Sequence, residues 1–142
     1  MFNYPDGIAI RNDGTIIVAD TYNNKIKGID LNGNVYTIAG KEEKGDKATF
    51  SYPSGIAIDN DGAIIVSDTA NNKIKGIDPD GIVYTIAGTG RDGDKDGPGN
   101  EATFHYPNGI AIRNDGTIIV DDTEHHKIRG IRTEKLTKSA ME

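Results

Sequence analysis

Apolar residues run along this chain in short bursts rather than at helical spacing. Ile8-Ala9-Ile10, Thr15-Ile16-Ile17-Val18, Lys25-Ile26-Lys27-Gly28-Ile29 and Val35-Tyr36-Thr37-Ile38-Ala39 each have strand length and are rich in β-branched residues. Between them stand Asn12-Asp13-Gly14, Asp20-Thr21-Tyr22-Asn23-Asn24 and Leu31-Asn32-Gly33-Asn34, whose residues tolerate positive φ or accept hydrogen bonds from nearby backbone N–H groups. Strands joined by connections this short predict an antiparallel meander. The second run is apolar on both faces, so sheets must cover it from both sides. The third alternates charged and apolar residues and predicts a solvated Lys-Ile-Lys face.

The pattern is written three times, with Tyr4–Asp30, Tyr52–Asp78 and Tyr106–Arg132 aligning without a gap. A repeated unit of this kind buries its apolar faces only by stacking on its neighbours. We therefore expect one all-β domain over 1–142, with units at approximately 2–49, 50–103 and 104–142. The last unit is the poorest: Leu136–Met141 aligns with the strand Ile82–Ala87 but carries fewer apolar residues, which predicts a weak or frayed fourth strand.

Composition narrows the function. With 35% hydrophobic and 6% aromatic residues, the core must be spread between units rather than gathered at one centre. Eighteen glycines and five prolines at regular intervals fit many tight turns. The net charge of -6 opposes a phosphate backbone, so neither nucleic acid nor an anionic membrane is an expected partner. Without cysteine there is no disulfide, thiolate metal site or cysteine nucleophile. No charged and apolar leader follows Met1, and no apolar run approaches the ~18 residues of a membrane span, so a soluble chain is expected, cytoplasmic by default.

The spaced motifs Tyr-Pro-x-Gly-Ile-Ala-Ile, Asp-Gly, Ile-Val-x-Asp-Thr-x-Asn-Asn-Lys-Ile and Tyr-Thr-Ile-Ala-Gly resemble the NHL repeat, and the stretch Ala87–Phe104 is similar to the linker between blades in bacterial NHL proteins. The resemblance covers almost the whole chain. It implies a β-propeller, usually of six blades, with one four-stranded sheet per repeat around an axial channel. Three blades are half such a ring and would leave the apolar flanks of the first and last in water. The expected partner is a second copy, related by a twofold axis along the channel, with blade three of each chain packing on blade one of the other. Near identity among the repeats suits recent duplication or deliberate design.

In such a meander the long connections and the second turn of each blade share one face, where scaffold-borne loops place ligand sites. That face collects Asp6, Ser54 and Asn108 at the channel mouth, where an unidentified protein or small molecule would bind. It also collects His105, His125 and His126, beside Asp121 and Asp122. Imidazoles and carboxylates suit zinc; the simpler alternative, which we favour, is exposed turn residues. Asp92-x-Asp94-x-Asp96-Gly97 opens like a calcium loop, but Thr103 stands where the closing glutamate belongs, so we read an ordinary linker.

Asp20, Asp68 and Asp122, each followed by threonine, tempt a general-base assignment. A catalytic group is needed once, whereas a turn must be made in every unit, so hydrogen bonding within the turn is expected. Tyr4, Tyr52 and Tyr106 and Phe2, Phe50 and Phe104 read as packing between blades. No phosphate loop, nucleophile elbow or acid pair is present. The expectation is a non-catalytic structural or binding module without a cofactor. The alternative is a fragment of a six-bladed metal-dependent enzyme, lactonase-like or amidating-lyase-like.

Overall fold

The computed structural model of the chain describes residues 1–40 and 50–132. Unit one forms β1 (Pro5–Ile10), β2 (Ile16–Asp20), β3 (Lys25–Ile29) and β4 (Val35–Ala39), hydrogen-bonded in that order and antiparallel throughout. Unit two repeats the meander with β5 (Pro53–Ile58), β6 (Ile64–Asp68), β7 (Lys73–Ile77) and β8 (Val83–Ala87). Unit three contributes β9 (Pro107–Ile112), β10 (Ile118–Asp122) and β11 (Lys127–Ile131); the strand expected at 136–141 lies outside the described residues. The fold is all-β, one antiparallel sheet per repeat in propeller fashion. No helix among the described residues is long and apolar enough to cross a membrane.

The second strand of each unit runs on to its aspartate, which the sequence pattern assigns to the turn. The turn itself is a single 3-10 turn, at Thr21–Asn23, Thr69–Asn71 and Thr123–His125. Asn24, Asn72 and His126 close these turns in the left-handed conformation, with φ of 56°, 57° and 55°. Asparagine tolerates that region well, which is why the Asn pair marks the turn in two of the three units.

The core lies between sheets, as two-sided burial requires. Ile17, Ala19 and Ile26 of blade one pack against Ile56, Ile64 and Val66 of blade two, while Ile65 and Ile74 of blade two pack against Ile118 and Val120 of blade three. Alternate residues of β6 thus serve opposite junctions. Phe50 and Phe104 are buried in these junctions as expected. Tyr4, Tyr52 and Tyr106 are not; they stand exposed with φ of 52°, 53° and 54°, because the left-handed backbone before each proline turns the side chain out of the core.

Two backbone devices recur at each junction. The Thr21 hydroxyl donates to Pro53 O at 2.8 Å, and the Thr69 hydroxyl to Pro107 O at 2.7 Å. Gly7 and Gly55 lie so near the next blade that a Cβ on either would overlap the carbonyl oxygen of Ser54 or Asn108. At the ends of the stack the same positions are open. Ile8 and Ile10 are 63% and 67% exposed, against 7% for Ile56, the counterpart of Ile8. Ile128 is 71% exposed, whereas its counterparts Ile26 and Ile74 are both at 0%.

Candidate functional site

Each blade carries a buried cation–carboxylate pair under its second turn. Lys27 pairs across the ladder with Val18, two residues before Asp20, so its ammonium reaches the carboxylate on the same face of the sheet. The Asp20 Oδ1 accepts the Asn3 N–H at 2.7 Å, while Oδ2 accepts from Asn23 Nδ2 at 2.8 Å and Lys27 Nζ at 2.9 Å. Blade two repeats the set around Asp68, with Ser51 N–H at 2.7 Å, Asn71 Nδ2 at 2.9 Å and Lys75 Nζ at 2.8 Å. In blade three, Asp122 accepts from the His105 N–H at 2.8 Å and from Arg129 Nη1 at 3.0 Å, and His125 Nδ1 stands 3.3 Å from its Oδ2.

All three carboxylates are fully buried. Each cation also lies over the ring of its blade's phenylalanine: Lys27 over Phe2 at 5.1 Å, Lys75 over Phe50 at 5.3 Å and Arg129 over Phe104 at 4.5 Å. These interactions overturn the solvated-face expectation for the third strand. Lys25, Lys73 and Lys127 point outward to varying degree, but Lys27, Lys75 and Arg129 are buried, drawn in by an aspartate and an aromatic face. A recurring basic residue does not single this position out, since Lys25, Lys73 and Lys127 recur too; the added signal is a phenylalanine ahead of every blade.

The aspartates do bond within the turn, as expected, through Asn23 and Asn71, but they also bind a backbone N–H seventeen residues back and the cation of the next strand. Both oxygens are engaged and all three carboxylates are fully buried, so none is presented to a substrate. Burial works to raise the Asp20 carboxyl, but donation from Asn3, Asn23 and Lys27 outweighs it and holds the pKa below the ordinary range. At the exposed turns, backbone N–H donation from Thr15, Asn34 and Thr117 likewise lowers Asp13, Asp30 and Asp115.

A carboxyl depressed in the folded state contributes stability above its unfolded pKa and loses it as pH falls through the folded value. Thermal melts followed by circular dichroism should therefore be level from neutrality to about pH 5 and should fall below about pH 4. A midpoint that stayed level to pH 2 would contradict this assignment.

The other sequence-derived candidates are arranged as follows. Asp6 and Asn108 are exposed, but Ser54 is buried, since the middle blade is flanked on both sides. Its hydroxyl lies 2.5 Å from Thr69 Oγ1 and 3.3 Å from Ser67 Oγ, so it braces the blade rather than facing a channel mouth. His105 and His125 come together, ring centroids 5.7 Å apart, beside Asp122 and not Asp121. Asp121 is exposed on the open face of blade three, and His126 caps the turn.

Among the described residues, no group of three or more His, Asp or Glu side chains is disposed to hold a metal ion. In the long linker Asp94 binds Lys127 Nζ at 2.7 Å, which holds the Asp94 carboxyl below its usual range, and Asp96 binds Arg129 Nη2 at 2.9 Å. Those two carboxylates therefore clamp the linker to β11. Among the described residues, a cleft of about 640 Å³ runs between Asp96–Gly99 and Lys127–Arg132.

A family model described as NHL repeat matches residues 2–29 and 50–77. No curated protein matches the chain. Among solved structures, a protein of unknown function from Bacteroides thetaiotaomicron is 25% identical, with a TM-score of 0.76 over 83% of this chain and 32% of its own. An auxiliary nutrient binding protein from the same organism is 22% identical, with a TM-score of 0.75 over 89% of this chain and 37% of its own. A gluconolactonase from Xanthomonas campestris is 20% identical, with a TM-score of 0.66 over 84% of this chain and 35% of its own. The likeness to the last two is one of fold alone, and the chain spans about a third of the length of each of these three proteins.

Proposed function

Because the chain is built of NHL repeats folded as propeller blades, we propose that it is a non-catalytic structural and binding module that closes a six-bladed ring by pairing with a second copy of itself. One observation carries this: the two faces open at the ends of the stack are the faces that the chain buries at its own internal junctions. Ile128 and Thr123 at one end have counterparts that are buried or bonded to the next blade, and Pro5, Ile8 and Ile10 at the other have counterparts that receive them. Burying one isoleucine is worth about 1.5–3 kcal/mol. A twofold axis makes two such junctions at once, blade three of each chain meeting blade one of the other.

The likeness to a gluconolactonase raises a metal-dependent enzyme as the other reading. It is disfavoured because the buried carboxylates already hold lysine, arginine and backbone partners. Metal analysis of protein purified without added metal, together with His125→Ala, separates the two: bound metal lost in the variant would favour the enzyme.

Light scattering at micromolar concentration should give twice the chain mass of 15.2 kDa. A stable, folded species of single-chain mass would remove the self-assembly reading.

A further inference from the structure

The tyrosines excluded from the core form a row on the rim, and one member of that row is missing. Tyr4, Tyr22 and Tyr52 stack face to face, with ring centroids 4.4 and 5.3 Å apart and planes within 9° and 26° of parallel. Tyr4 and Tyr52 hold the same place in successive blades. Tyr22, carried on the turn Thr21–Asn23, therefore fills a slot walled by two repeat tyrosines.

The next slot has the same frame, but its turn carries no aromatic residue. Its walls are Tyr52 and Tyr106, both exposed, and the turn residue between them is Ala70. The frames agree closely: the Tyr52 N–H donates to Asn24 Oδ1 and the Tyr106 N–H to Asn72 Oδ1, each at 2.9 Å. The Tyr22 N–H reaches Asn3 O at 3.1 Å, and the Ala70 N–H reaches Ser51 O at 3.0 Å. Alanine lacks the phenol ring, so the turn of blade two sets no ring between these two tyrosines, and the other described ring beside Tyr106 is that of His105, edge-on at 5.6 Å.

We propose that this slit between Tyr52 and Tyr106 binds a planar aromatic ring, a neutral phenol or indole, in the manner that Tyr22 is held between Tyr4 and Tyr52. Offset stacking on two faces is the favoured geometry for such rings. The backbones that carry the walls are set in advance, because each tyrosine is left-handed and its N–H is tied to the preceding blade. Little ordering is left for the ligand to impose. One end of the slit is polar: Gly90 of the long linker crosses Asn72, whose Nδ2 donates to Gly90 O at 3.5 Å. The site rests on the rim stack alone and is independent of ring closure.

The probe is p-cresol, the side chain of tyrosine without its backbone, titrated into the full chain and followed by amide NMR. Saturable shifts are expected at Ser51–Tyr52, Ala70 and Tyr106, with a Kd of the order of millimolar, as befits so small a ligand. Ala70→Tyr should abolish them by filling the slot, and Tyr22 demonstrates that this turn accepts tyrosine. Tyr106→Ala, which removes one wall, should weaken binding roughly 2- to 10-fold. A parallel titration with N-acetyltyrosinamide identifies the source: tighter binding than p-cresol assigns the slit to an aromatic side chain of a peptide, weaker binding to a free small aromatic. Absence of saturable shifts, or binding undiminished in Ala70→Tyr, would overturn the proposal.

Discussion

Asp68→Ala is expected to destabilise the fold by about 3–5 kcal/mol, because it takes from a buried ammonium the carboxylate that balances its charge. Lys75 is only 3% exposed and cannot swing its charge into water without leaving the sheet. The substitution also removes the acceptors of the Ser51 N–H and of Asn71 Nδ2, which lie at the start of the blade and in its second turn. Strand and turn therefore loosen together. A chain of 142 residues has roughly 7–20 kcal/mol of stability in all, so this one change removes a large share.

The double variant Asp68→Leu with Lys75→Met is expected to recover most of the loss, since apolar side chains of similar volume replace a buried ion pair at little net cost. Urea unfolding of the single and double variants tests this pair. A single variant within about 1 kcal/mol of the parent would mean that the buried ammonium does not depend on the Asp68 carboxylate.

These pairs also mark the limit of what the sequence makes legible. Strand positions, the number of units and two-sided burial follow from short apolar runs written three times, because burial of alternate residues is a local and periodic property. The fate of Lys27, Lys75 and Arg129 does not, since a lysine in an alternating strand has the same pattern whether its head meets solvent or a carboxylate. What decides it is a register in which Val18 faces Lys27, and an aspartate whose strand runs on further than its turn-like composition suggests. The burial of Ser54 is hidden for a related reason: its residue type fits a channel mouth, but its blade lies between two others. Which aspartate His105 and His125 approach depends on the pleat. Asp121 and Asp122 are neighbours in sequence and lie on opposite faces of β10.

Gly109→Ala should leave each chain folded and disrupt its assembly, whereas Gly55→Ala should damage the fold itself. The three glycines at 7, 55 and 109 occupy one repeat position but face different neighbours. A Cβ at Gly55 would overlap the Asn108 carbonyl of the adjoining blade, and one at Gly7 would overlap that of Ser54. At Gly109 the added Cβ would meet only Asp121 Cβ, at the ordinary distance of 3.8 Å, and its φ lies outside the left-handed range. Within one chain the alanine is therefore accommodated.

In the proposed ring, Gly109 faces the Asp6 carbonyl of a second copy as Gly55 faces Asn108, so the same methyl group becomes a backbone clash. Overpacking of this kind costs about 1–3 kcal/mol, and a twofold ring meets it at both junctions, so association should weaken roughly 30- to 20,000-fold. Light scattering of Gly109→Ala should then give single-chain mass with unchanged far-UV circular dichroism, while Gly55→Ala should melt several degrees lower. If Gly109→Ala kept the double mass and the parent's melting point, blade three would not pack on blade one of its partner, and the subunits would meet elsewhere.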